Sequence, residues 1–154
     1  VWPNSCYRVI KLLLHQAMPK VFLFNEIMPK QWLKLVVNCA INPITALNNI
    51  CNGEINKGIY QKQIRGLLKE IIAVAKQENI EFTEQELLEK INKVAMNTAK
   101  NSSSMRCDVL NNQKTEIDYI NGYIHKLGIK YKIATPENTQ LWQQILALSA
   151  TRRF

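Results

Sequence analysis

Three polar side chains lie four residues apart in an otherwise apolar stretch, and their types suit the binding of a small polar ligand. The segment KLVVNCAINPITAL, residues 34–47, holds Lys34, Asn38 and Asn42 as its only strongly polar residues before Thr45. In a helix of 3.6 residues per turn this spacing places all three on one face, with a drift of about 40° per step. The line presents one ammonium and two amides either to a cleft or to bulk water.

Two features of this segment favour a cleft. Asparagine is a mediocre helix former, and solvent gives no reason to place it twice at this spacing. Pro43 lacks a backbone N–H, so it leaves the Cys39 carbonyl without its helical donor and predicts a kink beside Asn42. The polar line is therefore a candidate ligand-binding face.

Further candidate residues occur in two later segments, SSSMRCD at 102–108 and TEIDYINGYI at 115–124. Serines that open a helix commonly just cap it. A glutamate in a first helical turn commonly just complements the helix dipole. From these residues alone, the structural and the functional interpretations both stay open.

Apolar periodicity and start signals predict that these residues lie on the helices of an all-α domain. Three predicted helices have both ends marked, at about residues 5–17, at 29–50 and at about 60–78. Four more have only a start signal: a capping box at Thr83 and Glu86, the serines at 102–104, a cap at Thr115 with Asp118, and Thr135–Pro136. The stretch 21–24 could form a short strand or extended chain.

The overall composition limits the kinds of partner. The 154 residues carry 20 Lys and Arg against 12 Asp and Glu, a net charge of +8 that favours anionic partners such as nucleic acid, phosphorylated cofactors or carboxylate substrates. The lysines are spread over several helices without a basic face interleaved with aromatic residues, which argues against a nucleic-acid reader. No apolar run approaches the roughly 20 residues that a membrane-spanning helix needs.

The four cysteines, Cys6, Cys39, Cys51 and Cys107, show no close spacing, and only two histidines could join them as ligands. This pattern predicts free thiols and no metal site, as in a reducing cytoplasmic compartment.

Taken together, five segments resemble the carboxy-terminal domain of the ketopantoate reductase (2-dehydropantoate 2-reductase) family. The matching pieces are W-x-K-L-x-x-N-x-x-x-N-P at 32–43, N-G-E at 52–54, S-S-M-x-x-D at 103–108, E-I-D-x-I-N-G-Y at 116–123 and P-E-N at 136–138. The resemblance implies an all-α fold of the 6-phosphogluconate dehydrogenase carboxy-terminal type. It also implies a substrate-binding and dimerisation domain at 29–154 that follows a leading or interdomain segment at 1–28.

The resemblance implies a role for each candidate residue. Lys34 would be the general acid that protonates the ketone oxygen of ketopantoate as hydride reaches its carbon. Asn38 and Asn42 would bind substrate, Ser104 would contact its carboxylate, and Glu116 would bind its hydroxyl and help to hold the lysine. General acid catalysis is typically worth about 10²–10⁴ in rate, provided that partial desolvation makes the ammonium a good proton donor.

The family also has an amino-terminal Rossmann domain that binds NADPH. No G-x-G-x-x-G motif can be formed from the five glycines, since no two of them are separated by one residue. We therefore expect the cofactor to be held mainly by a domain outside this chain, and the chain alone to be inactive. Its first residue, Val1, predicts a fragment or a processed product.

The expected partners are the amino-terminal Rossmann domain of a longer parent, a 2-oxo acid and a second copy in a homodimer. Two alternatives remain, a reductase of a related 2-oxo acid and a basic helical module that binds protein or nucleic acid. The chain departs from the family at two places, since Lys132 stands before Ile133 where a glycine is common and Arg106 stands where an apolar residue is common.

Overall fold

The computed structural model describes residues 4–18 and 26–151. Over this part of the chain it contains seven α-helices, two short 3₁₀ helices and no strand, which confirms the all-α class. The helices are α1 (Asn4–Ala17), α2 (Met28–Asn48), α3 (Gly58–Gln77), α4 (Glu84–Asn97), α5 (Ser104–Leu110), α6 (Asn121–Tyr131) and α7 (Pro136–Thr151), and the 3₁₀ helices are Asn52–Asn56 and Ile117–Tyr119. The possible strand at 21–24 lies outside the described residues. None of the described helices is long and apolar enough to cross a membrane.

The chain divides into two compact units, residues 1–30 and residues 31–154. The first contains α1, on which the apolar residues Ile10 and Leu13 are exposed. The second contains the core and every candidate site residue.

Helix α2 forms the centre of the second unit, and its apolar composition explains why. Eleven of its residues are buried between Trp32 and Ala46, and Val36, Cys39 and Ala40 are fully inaccessible. Burial of a large apolar side chain contributes roughly 1.5–3 kcal/mol, so a helix that is apolar on most sides is held inside the protein. The helix continues through Pro43 to Asn48.

Helices α3 and α4 follow the predicted pattern closely. The expected stripe on α3 is buried at Ile64, Leu67, Leu68 and Ile71. The capping box before α4 is confirmed, because Glu86 N donates to Thr83 Oγ1 at 3.2 Å and Thr83 N donates to Glu86 Oε2 at 3.0 Å.

The predicted helix cap at Thr115 is wrong. Thr115 is buried, and the segment after it forms the one-turn 3₁₀ helix Ile117–Tyr119. Ile120 then breaks the helical path with φ −109° and ψ −99°, so α6 begins only at Asn121. The isoleucines at 117, 120 and 124 are buried in either arrangement, which is why their spacing could not distinguish one helix from two. Glu116 therefore precedes a tight turn instead of lying in the first turn of an α-helix.

Helix α6 is capped at its end by Lys132, where the sequence differs from the family that it resembles. Lys132 has φ 57° and ψ 39°, the left-handed conformation that favours glycine. Lys132 N donates to Ile129 O at 3.2 Å and Ile133 N donates to Gly128 O at 2.8 Å, which is the bonding of a Schellman motif. This chain thus uses a lysine at a backbone position that a glycine would occupy without strain.

Candidate active site

Lys34, Asn38 and Glu116 line one cavity of about 270 Å³. Helix α2 supplies the first two residues, and the turn before the second 3₁₀ helix supplies the third. The remaining lining residues are Gln31, Leu35, Tyr119 and Ile120. The fold thus brings together three of the five predicted site residues, although Lys34 and Glu116 are 82 positions apart along the chain.

Accessibility falls along the polar line of α2. Lys34 is exposed, Asn38 is half-buried and Asn42 is only 8% exposed. The line therefore runs from solvent into the protein, which does not match a helix face turned to bulk water along its whole length. Asn42 lies one turn beyond Asn38 and is not among the residues that line the cavity.

The three serines before Met105 have different surroundings. Ser103 is the cap of α5, since its Oγ accepts from Arg106 N at 3.1 Å, and it is 5% exposed. Ser104, the predicted ligand for a substrate carboxylate, is the first residue of α5 and is exposed. The capping role thus falls to Ser103, which leaves the Ser104 hydroxyl out of the cap. Ser104 does not line the cavity.

Two links fix the start of α5 against the end of α2. Ser103 Oγ and Thr45 Oγ1 are hydrogen-bonded at 2.7 Å, and Thr45 lies three residues after Asn42. Arg106 Nε donates to Asn49 Oδ1 at 2.9 Å, in the turn that follows α2. The second family departure, Arg106, is therefore an additional tie between these two elements.

Asp108, in the second half of α5, interacts electrostatically with Glu116. Burial and the negative charge of Glu116 together raise the pKa of Asp108 above its usual range. Asp108 lies one turn after Ser104, so α5 extends from the Thr45 contact toward Glu116. The cavity lining itself combines one ammonium, Lys34, with one carboxyl group, Glu116.

Sequence reasoning assigned no role to Asn121, Asn138 and Glu70, which form a buried chain of hydrogen bonds beside the cavity. Asn121 Nδ2 donates to Cys39 O at 3.2 Å and to Asn138 Oδ1 at 3.1 Å. Asn138 Nδ2 donates to Glu70 Oε2 at 2.8 Å. The I-N-G and P-E-N segments contain two of these residues, but nothing in the sequence showed that they would meet.

No set of three or more His, Cys, Asp or Glu side chains is arranged to hold a metal ion within the described ranges. Cys39, Cys51 and Cys107 are free thiols, and burial strongly raises the pKa of Cys39. The predicted thiol at Cys6 falls on a side chain outside the described ones.

Comparison with known proteins identifies the family. A family model described as "Ketopantoate reductase PanE/ApbA C terminal" matches residues 26–149. The 2-dehydropantoate 2-reductase of Yersinia pestis is 39% identical over 132 residues, which cover 86% of this chain and 43% of that protein. That of Pyrobaculum aerophilum is 40% identical over 148 residues, which cover 96% of this chain and 53% of that protein. The chain thus spans about half the length of these curated relatives.

Among solved structures, the ternary structure of D-mandelate dehydrogenase with NADH and anilino(oxo)acetate matches with a TM-score of 0.88 at 24% identity. The match covers 96% of this chain and 62% of that chain. At this identity the likeness supports the fold alone.

Proposed function

Because the chain belongs to the ketopantoate reductase family, as its carboxy-terminal domain, we propose that it is the substrate-binding part of an NADPH-dependent 2-dehydropantoate 2-reductase. In this proposal residues 29–154 bind the substrate and contribute to a homodimer, and residues 1–28 lead into the domain. The observation that carries the proposal is the shared cavity of Lys34, Asn38 and Glu116.

The chemistry of ketone reduction suits these groups. When hydride adds to the carbonyl carbon, the oxygen develops negative charge and needs a proton. The Lys34 ammonium supplies that proton from one wall of the cavity, while the Glu116 carboxylate on the other wall orients the ammonium and accepts a hydrogen bond from the substrate hydroxyl. A preorganised donor at such an oxygen is worth roughly 2.7–4 kcal/mol.

The neutral groups bind and orient the substrate. The amides of Asn38 and Asn42 offer donors and acceptors without a charge that would compete with Lys34. The Ser104 hydroxyl, held near the end of α2 through the Ser103–Thr45 hydrogen bond, donates to the substrate carboxylate. Asn42 and Ser104 do not line the cavity, so the proposal requires the bound substrate to extend beyond it. The cavity of about 270 Å³ is open to solvent and can receive the reacting end of a small 2-oxo acid.

The residues present do not form a dinucleotide site. The described part of the chain has no strand followed by a glycine-rich turn. We therefore assign the nicotinamide cofactor, which supplies the hydride, to an amino-terminal Rossmann domain of a longer parent. Lys34 is exposed in this chain, and closure of that domain over the cavity would exclude water and strengthen the interaction of Lys34 with the developing charge.

Free thiols at Cys39, Cys51 and Cys107 agree with a reducing compartment, so we place the protein in the cytoplasm.

The test is steady-state turnover of the full-length parent with ketopantoate and NADPH. We expect Lys34→Ala to lower kcat/KM by about 10²–10⁴, the usual worth of a general acid. Lys69→Ala, which removes an exposed lysine from α3, is the matched control and should leave kcat/KM within about twofold. Equal turnover of wild type and Lys34→Ala would remove Lys34 from its role.

Two further comparisons define the reaction. NADH in place of NADPH tests the cofactor preference, and a series of 2-oxo acids with different side chains tests the substrate. A higher kcat/KM for another 2-oxo acid would replace ketopantoate while keeping the reaction type. No turnover of any 2-oxo acid with either cofactor would refute the proposed function.

A further inference from the structure

We propose that Asn121 is a positioning residue of the candidate active site, because it ties the helix that carries Lys34 and Asn38 to the segment that carries Glu116. Asn121 is fully buried at the start of α6. Its Nδ2 donates across 82 positions to the Cys39 carbonyl of α2, at 3.2 Å. The catalytic consequence rests on the proposed function, whereas the structural tie does not.

The Cys39 carbonyl is free to accept this bond because Pro43 has no backbone N–H. In a regular helix the Cys39 carbonyl would accept from the N–H of residue 43, but residue 43 is proline. A buried carbonyl without a donor costs about 1–3 kcal/mol, so a donor from another element is strongly favoured here. Asn121 provides it.

The positions of the two bonded groups make the tie relevant to the site. Cys39 directly follows Asn38, and Asn121 directly follows Ile120, and both of these neighbours line the cavity. The bond therefore joins the two walls of the cavity next to their lining residues. A change in its length would alter the separation between the α2 side chains and Glu116.

The rest of the network determines how the Asn121 amide is oriented. The Glu70 carboxylate accepts from Glu137 N at 2.7 Å and Asn138 N at 3.0 Å, and it also accepts from Asn138 Nδ2. Asn138 must then turn its Oδ1 toward Asn121. Since Cys39 O is also an acceptor, only the NH₂ end of Asn121 fits both neighbours.

This arrangement has a cost, which the two hydrogen bonds donated by Asn121 offset. Asn121 Oδ1 is buried and has no hydrogen-bond partner among the described residues. An apolar residue of similar size would fill the same space but would leave both the Cys39 carbonyl and Asn138 Oδ1 without this donor. The retained amide is explained by the two donors that it supplies.

A double-mutant cycle in the chain itself tests the structural tie. Asn121→Leu removes both donors and keeps a similar volume, and we expect it to lower the folding equilibrium constant by about 10- to 100-fold in urea unfolding. Pro43→Ala restores the helical donor for the Cys39 carbonyl. In the Pro43→Ala background the loss from Asn121→Leu should therefore be about 5- to 10-fold smaller. Asn121→Ser, which leaves room for a water, replaces Asn121→Leu if that variant does not fold.

The catalytic arm uses the full-length parent, with rates normalised to the folded fraction. We expect Asn121→Leu to lower kcat/KM by up to about 100-fold, the effect of a displacement of about 1 Å at a reacting group. This loss of kcat/KM should be the same in the wild-type and Pro43→Ala backgrounds. Pro43→Ala gives the Cys39 carbonyl a helical donor, but it does not restore the hydrogen bond between α2 and the segment that carries Glu116. A purely structural role predicts instead that activity recovers together with stability.

Three outcomes overturn the proposal. An equal stability loss in both backgrounds would show that the Cys39 carbonyl is not the partner of Asn121. Recovery of kcat/KM by Pro43→Ala would reduce Asn121 to a stabilising residue. A crystal structure of the Asn121→Leu variant with an unchanged cavity would show that Asn121 does not position the cavity residues. Failure of the wild-type parent to reduce any 2-oxo acid would refute only the proposed function, and the crystal structure would still test the positioning role.

Discussion

Replacing Thr45 by valine should loosen the junction between α2 and α5 without changing the shape of the side chain. Thr45 is fully buried, and its Oγ1 lies 2.7 Å from both Ile41 O and Ser103 Oγ. Its one hydroxyl hydrogen is directed to the Ile41 carbonyl, and Ser103 Oγ already accepts from Arg106 N. Ser103 O–H is therefore the donor to Thr45, and Thr45→Val leaves this buried donor without an acceptor.

The magnitude follows from that lost acceptor. A buried hydroxyl without a partner costs about 1–3 kcal/mol, and the extra methyl of valine offsets up to about 0.8 kcal/mol of it. We expect Thr45→Val to lower the free energy of unfolding by about 1–2 kcal/mol. Ser103→Ala should cost about 1 kcal/mol through the loss of the cap. The double variant should lose less than the sum of the two, with a coupling of about 1 kcal/mol.

The assay is urea unfolding followed by circular dichroism, with Thr151→Val as the matched control. Thr151 also bonds the carbonyl four residues before it, at 3.2 Å, but it is exposed and makes no bond to another element among the described residues. Its variant should stay within about 0.5 kcal/mol of wild type. Additive effects of Thr45→Val and Ser103→Ala, within about 0.3 kcal/mol, would show that the two hydroxyls do not interact and would refute the reasoning.

Three further predictions concern single residues. Lys132→Gly should raise the free energy of unfolding by about 0.5–1 kcal/mol in urea unfolding, because Lys132 has φ 57°, and an unchanged value would argue against the left-handed cap. Asp108→Asn should stabilise the fold near neutral pH by up to about 0.5 kcal/mol. The raised pKa of Asp108 means that stability is lost as pH rises from about 3.9 through the folded-state pKa, so the gain should vanish when urea midpoints are compared at about pH 3. Cys39 is fully buried and has a raised pKa, so it should resist alkylation in the native chain, whereas the exposed Cys107 should react. The labelled positions are found by peptide mapping with mass spectrometry. Equal labelling of the two cysteines would contradict this packing.

The sequence predicted those elements whose signals are local. The helical stripe of α3, the capping box at Thr83 and the opening of α5 among the serines each depend on neighbours within about one or two turns. The meeting of Lys34 and Asn38 with Glu116 could be anticipated only through resemblance to a family, since their separation along the chain carries no information about distance in space.

The failures and omissions have a common physical origin. The cap at Thr115 was wrong because buried isoleucines at 117, 120 and 124 satisfy a helix and a broken helix equally well. The roles of Asn121, Asn138 and Glu70 were missed because each depends on a donor or acceptor that is distant along the chain, at separations of 17 to 82 positions. Pro43 was the one local sign that the Cys39 carbonyl would need an outside partner.

If the polar line on α2 binds an anionic 2-oxo acid, as we propose, its graded burial predicts two stages of ligand capture. An anionic acid that approaches the exposed end of the line would first be attracted by the Lys34 ammonium. Its association rate should therefore fall as salt is added. Its dissociation rate should depend instead on the enclosed end of the line, where Asn42 is only 8% exposed. We therefore expect association and dissociation rates to respond to substitutions on different turns of one helix.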